Sequence, residues 1–434
     1  MLCHLPRAQR PCRDVLDLFA RRGLINTQVA VHRCSHNGGI CFAICIYSND
    51  SILNAAALKL YGYTREDFLK MTSLDIRPPS ECQRALDDAG LKRDDIDGLI
   101  VGPKTAYERM GEVLGLNTRW GGAADSVQAV VQACMAIYSG LAEVVALVYG
   151  YDQRSSKVQY GGAGAVSGGA EHLSYVYHSP WGLTSQGALY ALMFQRYKEL
   201  YGMSERDLGA VAVAQRLGAS LNPHAVMPKR ITIDDYLAAP YVCQPLRLLD
   251  YCLVNDGGVS LIIAESGWAK RHAQTSSKAK KPVAILGVGR YDLNDAATSL
   301  EPRLLQFYRP AQREAARQVY AMAGIGPQDM DSVQVYDSFS CHVPFALEGF
   351  GYCAEGEAAK FLAEKGIGLD GALPVNTGGG HLSESYMQGW NHQVEAVRQV
   401  RGECGPRQVA DCRHVQYCSD VAGKAVTLIY GEGN

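Results

Sequence analysis

The pattern of apolar and polar positions becomes regular near residue 80. From Cys82 to Ala89 the apolar residues recur at helical spacing, Gly90 ends the run, and Ile96 to Val101 reads as a short strand. Val127, Val130, Val131, Cys134, Ile137 and Tyr138 share one face at i, i+3, i+4 spacing, which predicts a helix beginning near Asp125 and stopping at Gly140. Val144 to Val148 is continuously apolar, the pattern of a strand covered on both faces. A Gly-, Tyr- and Pro-punctuated stretch over 151–240 predicts a large excursion over a site, with helices near Ala188 to Tyr201 and Ser204 to Ser220. Leu248 to Val259 returns to a sheet, Ala269 to Lys281 is a polar linker, and Pro282 to Gly289 opens a further strand. Upstream of residue 80 the pattern is irregular, and Ile40 to Ser48 predicts one strand.

An internal repeat underlies this order. Ala89-Gly90-Leu91, Asp95-Ile96-Asp97 and Val101 return as Ala323-Gly324-Ile325, Asp329-Met330-Asp331 and Val335. The repeat implies two similar α/β halves, expected over 81–268 and 282–434, after an atypical segment over 1–80. The second half's opening strand has no regular counterpart upstream; Ile40 to Ile46 is the candidate replacement.

A chain of 434 residues is long enough for two or three domains. Its net charge of -2 suggests neither a nucleic-acid footprint nor a polybasic membrane patch. No apolar run approaches the roughly 20 residues of a membrane span, and no signal-like cleavage site is visible, so a cytoplasmic protein is expected. The 14 cysteines follow no regular framework and read as reduced thiols. His32, Cys34, His36, Cys41 and Cys45 match no zinc spacing, so no metal is expected.

The candidate chemistry lies between Val335 and Gly389. Tyr336-Asp337-Ser338-Phe339 leaves a strand end, and Asn376 to Tyr386 carries Gly378, Gly379, Gly380 and His381 ahead of a second tyrosine. The glycines either offer amides to an oxyanion or form an ordinary tight turn. His381 either meets substrate or orients the loop. Ser338 and Ser340 show no base partner in the sequence. Since the chain has 24 tyrosines, most must be structural.

Leu246 to Asp250 leading to Asp256-Gly257, Tyr336 to Ser340, Gly351-Tyr352-Cys353 with Glu355-Gly356-Glu357, and Asn376 to Gly389 occur in an order that resembles the thiolase superfamily. The resemblance covers roughly 80–434. It implies a five-layer αβαβα fold of two pseudo-repeated halves, a homodimer, and acyl-CoA thioesters as substrates. Residues 47–80, chiefly Asn54 to Leu69, weakly resemble a fragment of a PAS sensor domain, well short of a module.

The catalytic pattern departs from a thiolase. The family's nucleophilic cysteine, at a helix N-terminus where its pKa can fall, corresponds here to Ala123. Cys134 lies eleven residues further along, about 16 Å of helix away, on the apolar face. Tyr336-Asp337-Ser338-Phe339 stands where relatives have Asn-Glu-Ala-Phe or His-Asp-Cys-Phe. Ser385-Tyr386-Met387 replaces Gly-His-Pro, and the last family cysteine falls near Tyr417 or Cys418. This combination resembles the lipid-transfer-protein-like aldolases, thiolase-fold enzymes that cleave steroid side chains from β-hydroxyacyl-CoA by a retro-aldol reaction. They act beside a small zinc-ribbon/OB-fold subunit. By resemblance, Tyr336 and Tyr386 are catalytic, and Asp337, Gly379, Gly380, His381 and Ala123 support or bind substrate. No cofactor is expected beyond the coenzyme A of the substrate. Two alternatives stand: a thiolytic acyltransferase using Cys418 or another displaced cysteine, and a non-catalytic lipid or acyl-CoA carrier.

Overall fold

The computed structural model describes residues 41–42, 47–48, 82–102, 107–158, 160, 177–295, 299–421 and 423–432. Within them, β1 (Cys41–Phe42) and β2 (Tyr47–Ser48) precede α1 (82–89), β3 (Gly98–Val101), β4 (Trp120–Ala123), α2 (Ser126–Tyr138) and β5 (Val144–Asp152). The excursion supplies α3 (Gln186–Tyr201), α4 (Glu205–Ser220) and a small hairpin, β6 (Tyr241–Cys243) with β7 (Leu246–Arg247), before β8 (Asp256–Ala264). The second half contains β9 (Val283–Asp292), α5 (Arg309–Ala323), β10 (Ser332–Val335), α6 (His342–Gly349), α7 (Trp390–Arg401), β11 (His414–Val421) and β12 (Lys424–Gly431).

The first sheet runs β2-β8-β5-β3-β4 and the second β1-β9-β12-β11-β10. In each, a parallel pair (β3 with β5, β10 with β11) is followed by an antiparallel partner (β8, β12). The repeated aspartates do the same work in both. Asp97 accepts from the Glu143 and Val144 backbone N–H groups as β5 begins, and Asp331 accepts from those of Arg413 and His414 as β11 begins. Each carboxylate thereby ties the approach to its short strand to the neighbour at its side.

Alternate strand residues feed different layers, as a period of two requires. Val145, Leu147, Leu261 and Ile263 face a core shared with α2, α7 and the inner face of the second sheet. Val144, Ala146, Ile262 and Ala264 pack outward against α1. The other face of the second sheet, with Val333, Val335 and Cys418, meets α3, α5 and α6. Helix, sheet, helix, sheet and helix layers follow, the expected αβαβα architecture. Ser204 caps α4 by accepting from Asp207 N, so the helix starts one residue after it.

The single strand expected over Ile40 to Ser48 is instead two short ones in different sheets. Cys41 and Phe42 pair antiparallel with Ala284 and Val283 of β9, whereas Tyr47 and Ser48 pair antiparallel with Ser260 and Val259 of β8. β2 therefore occupies in the first sheet the place β9 has in the second, rather than Ile40 to Ile46. An apolar run reports a strand but not its partner. The PAS-like residues 49–80 and His32, Cys34, His36 and Cys45 lie outside the described residues. Among the described residues no helix is long and apolar enough to cross a membrane.

Candidate functional site

β10 delivers Tyr336, Asp337 and Ser338 from its C-terminal end. The Tyr336 N–H still donates to Cys418 O of β11 at 2.8 Å, so the start of this turn is held in sheet register. Asn376 clamps the second loop to the same strand: its Oδ1 accepts from Val335 N at 2.7 Å and its Nδ2 donates to Val335 O at 3.0 Å. The amide side chain thus imitates a neighbouring strand and fixes the loop that carries His381 and Tyr386. From the first half, Asn255 Oδ1 accepts from Tyr386 N at 2.8 Å.

The two phenols meet. Tyr336 and Tyr386 hydroxyls lie 2.9 Å apart, in hydrogen-bond contact. His381 packs its ring 4.7 Å from each tyrosine ring, edge-on to Tyr336. Its Nε2 accepts from Gly389 N at 2.9 Å, which leaves the neutral ring's proton on Nδ1. His381 thus orients the loop by hydrogen bonding. Burial, then the neighbouring His392 and His342, hold its pKa well below the usual range, so it brings no positive charge to the phenols. Asp337 is fully buried; its Oδ1 accepts from His381 N at 2.9 Å and from His392 Nε2 at 2.8 Å. Asp337, His381 and His392 present atoms of ligand type within 4.8 Å of one another. His381 Nε2 is bonded to Gly389 N and His392 Nε2 to Asp337 Oδ1, while His381 Nδ1 and Asp337 Oδ2 have no hydrogen-bond partner among the described residues.

Neither phenol is poised as a free base. Burial raises the Tyr336 pKa well above 10, and its neighbour Tyr386 raises it further. Burial and then the Cys252 thiol push Tyr386 the same way. Asp125 opposes ionisation of both. It keeps a solvent-exposed face, yet the protein around its carboxyl raises that group to about 6. Both tyrosines are therefore neutral donors and acceptors.

Other expectations are corrected by the geometry. Ala123 is exposed at the end of β4, and the following helix begins three residues later at Ser126, whose φ of 34° marks the bend into it. The residue at the helix N-terminus is therefore a serine, not Ala123. Gly379 and Gly380 have φ of 111° and 58°. A Cβ on Gly379 would stand 2.7 Å from Ala219 Cβ, and one on Gly380 would collide with Asp337 Oδ2. The Gly379 N–H donates to Asn376 O at 2.8 Å. These glycines serve the turn and its close packing, and the Gly379 amide is not aimed at an oxyanion. Ser338, expected to lack a base partner, has one: its Oγ lies 3.0 Å from His342 Nε2.

Cys418 is fully buried within β11, with burial raising its thiol pKa well above the usual value. It is a core residue rather than a displaced nucleophile. The thiol felt by both phenols is Cys252, which sequence spacing did not single out. Burial, and after it Asp337, pushes it up to about 12. A protonated thiol is a poor nucleophile. Cys252→Ser and Cys418→Ala should each keep turnover within about threefold, because burial holds both sulfurs as protonated thiols. Steady-state kinetics with mass spectrometry checks this; an acyl adduct on either cysteine would revive the thiolytic account.

Comparison with known proteins follows the same lines. Residues 299–432 match the family described as Thiolase C-terminal domain-like. The chain is 33% identical over 368 residues to the 17-hydroxy-3-oxo-4-pregnene-20-carboxyl-CoA lyase of Mycobacterium tuberculosis, covering 80% of this chain and 91% of that protein. It is 33% identical over 345 residues to the steroid side-chain-cleaving aldolase of Thermomonospora curvata, covering 73% and 83% respectively. Among solved structures, the Ltp2-ChsH2(DUF35) aldolase superposes with a TM-score of 0.76 at 28% identity, covering 91% of this chain and 98% of that one.

Proposed function

The chain belongs to the thiolase superfamily, in its steroid side-chain-cleaving aldolase branch, and we propose that it cleaves a carbon–carbon bond of a sterol-derived β-hydroxyacyl-CoA by retro-aldol chemistry. The observation that carries this reading is the 2.9 Å contact between the Tyr336 and Tyr386 hydroxyls. Retro-aldol cleavage moves one proton. It leaves the β-hydroxyl as the bond breaks and is needed again at the α-carbon of the thioester enolate. Two neutral phenols in contact can move it without a free phenolate. One accepts the β-hydroxyl proton as it passes its own to the other, which protonates the enolate. This relay suits groups whose ionisation is suppressed by burial. Either order along the pair gives the same net transfer.

Asp337 and His381 act as positioning residues, since they hold the loop rather than reach the reacting atoms. The name of the Ltp2-ChsH2(DUF35) aldolase records a second component. That supports a partner component for this chain, and the family resemblance implies that it is a small zinc-ribbon/OB-fold subunit working beside a homodimer in the cytoplasm. Co-expression with such a subunit, followed by incubation with a β-hydroxylated steroid acyl-CoA, should release the ketone or aldehyde together with the shortened acyl-CoA. Tight binding without cleavage, partner present, would overturn this in favour of a carrier.

A further inference from the structure

The hydroxyl of Ser338 heads a hydrogen-bonded chain that the cleavage reaction does not use. Ser338 Oγ lies 3.0 Å from His342 Nε2, and His342 Nδ1 lies 2.7 Å from Asp420 Oδ1. The scaffold sets all three. Ser338 sits in the turn leaving β10, His342 is the first residue of α6, and Asp420 is on β11, the strand paired with β10. Asp420 accepts the Nδ1 proton, so Nε2 is left free to accept from the serine. Gln312 Nε2 donates to the other Asp420 oxygen at 2.5 Å, which keeps the carboxylate from turning. The His342 ring is stacked on Phe339 and packed 4.3 Å from the Tyr190 ring, which fixes its plane.

Burial grades in the order a nucleophile needs. Ser338 is 7% exposed, whereas His342 and Asp420 are 0% and 1% exposed. The serine is thus nearest to solvent, with the acid behind it. The His342 ring is also 6.0 Å from that of Tyr336, so the Ser338–His342–Asp420 chain lies beside the phenol pair. In an acyl-CoA whose β-carbon meets those phenols, the thioester carbonyl is only two bonds further along.

We propose that Ser338, His342 and Asp420 form a nucleophilic triad that hydrolyses acyl-CoA thioesters, an activity separate from carbon–carbon cleavage. Ser338 Oγ attacks the thioester carbonyl and its proton passes to His342 Nε2. The carbon–sulfur bond breaks, and the leaving thiolate takes that proton to depart as coenzyme A. Water, deprotonated by His342, then attacks the acyl-serine ester. The products are the free acid and the restored serine, so one water is consumed for each thioester. The choice of substrate rests on the acyl-CoA reading above, whereas the nucleophile does not.

The test uses the full chain and octanoyl-CoA, which has no β-hydroxyl and cannot undergo retro-aldol cleavage. Thiol release is expected above the buffer rate. It should fall at least about 10²-fold in Ser338→Ala and in His342→Gln, both checked for fold by circular dichroism. A fluorophosphonate should label the parent protein at Ser338, read from the peptide mass, so the nucleophile is examined without any variant. Absence of Ser338-dependent thiol release overturns the proposal. If Ser338 is labelled but octanoyl-CoA survives, the fault lies in the acyl-CoA reading; if neither occurs, it lies in the nucleophile.

Discussion

Replacing Tyr386 with phenylalanine is expected to lower carbon–carbon cleavage by about 10²–10⁴-fold while the protein stays folded. Phenylalanine keeps the ring that packs against His381 and removes only the hydroxyl in contact with Tyr336. Tyr336→Phe should cost a similar factor, because either change cuts the same relay. The double variant should then be little worse than either single one, the behaviour of groups acting as a unit. Additive losses would mean independent roles and would sink the relay. The pH profile is a second check. Burial and its neighbours raise both phenols above their ordinary value, so no phenolate forms in the working range. Cleavage should therefore show no rising limb near pH 8–10 that disappears in the phenylalanine variants. Such a limb in kcat/KM would point to a true phenolate base.

Arg407→Ala is expected to destabilise the fold by about 3–5 kcal/mol, because it strands a buried carboxylate. Arg407 and Glu395 are 4% and 1% exposed. The guanidinium meets both carboxylate oxygens, with Nε 3.0 Å from Oε1 and Nη2 3.0 Å from Oε2. Glu395 Oε1 also accepts from Thr377 Oγ1 at 2.8 Å, so the pair underpins the loop that leads to His381. Burial alone would raise the Glu395 pKa, yet Arg407 and the hydrogen bonds win and hold it below the ordinary value. The pair's contribution is therefore present above the unfolded pKa of about 4.3 and lost as pH falls through the lower folded value. In Arg407→Ala the sign reverses. Desolvation then raises the folded pKa, so acidification relieves the defect and the gap to the parent narrows. Urea denaturation at pH 7 and pH 5 would show this. Replacing both partners, as Glu395→Leu with Arg407→Met, should recover much of the loss, since no charge remains buried. An Arg407→Ala protein as stable as the parent at pH 7 would contradict the account.

The linear order of residues was enough to determine the layered α/β class, the repeat that places Asp97 and Asp331 in equivalent roles, and the two tyrosines standing where relatives carry other groups. The α/β elements and the repeat are written in periods of two and 3.6 and in fixed spacings, which the backbone obeys locally, whereas the layer count and the standing of the tyrosines come from resemblance to the thiolase superfamily. It did not show that the Tyr336 and Tyr386 hydroxyls touch, that Cys252 rather than Cys418 lies near them, or that Ser338 has His342 and Asp420 behind it. Nor did it show that Ile40 to Ser48 divides between two sheets, or that Gly380 is small because Asp337 needs the room. Each of these depends on which strand lies beside which, and in what register. Groups as far apart in sequence as Tyr336 and Tyr386, or His342 and Asp420, meet only after β10, β11 and the loop at Asn376 have closed on one another, and no local pattern encodes that closure.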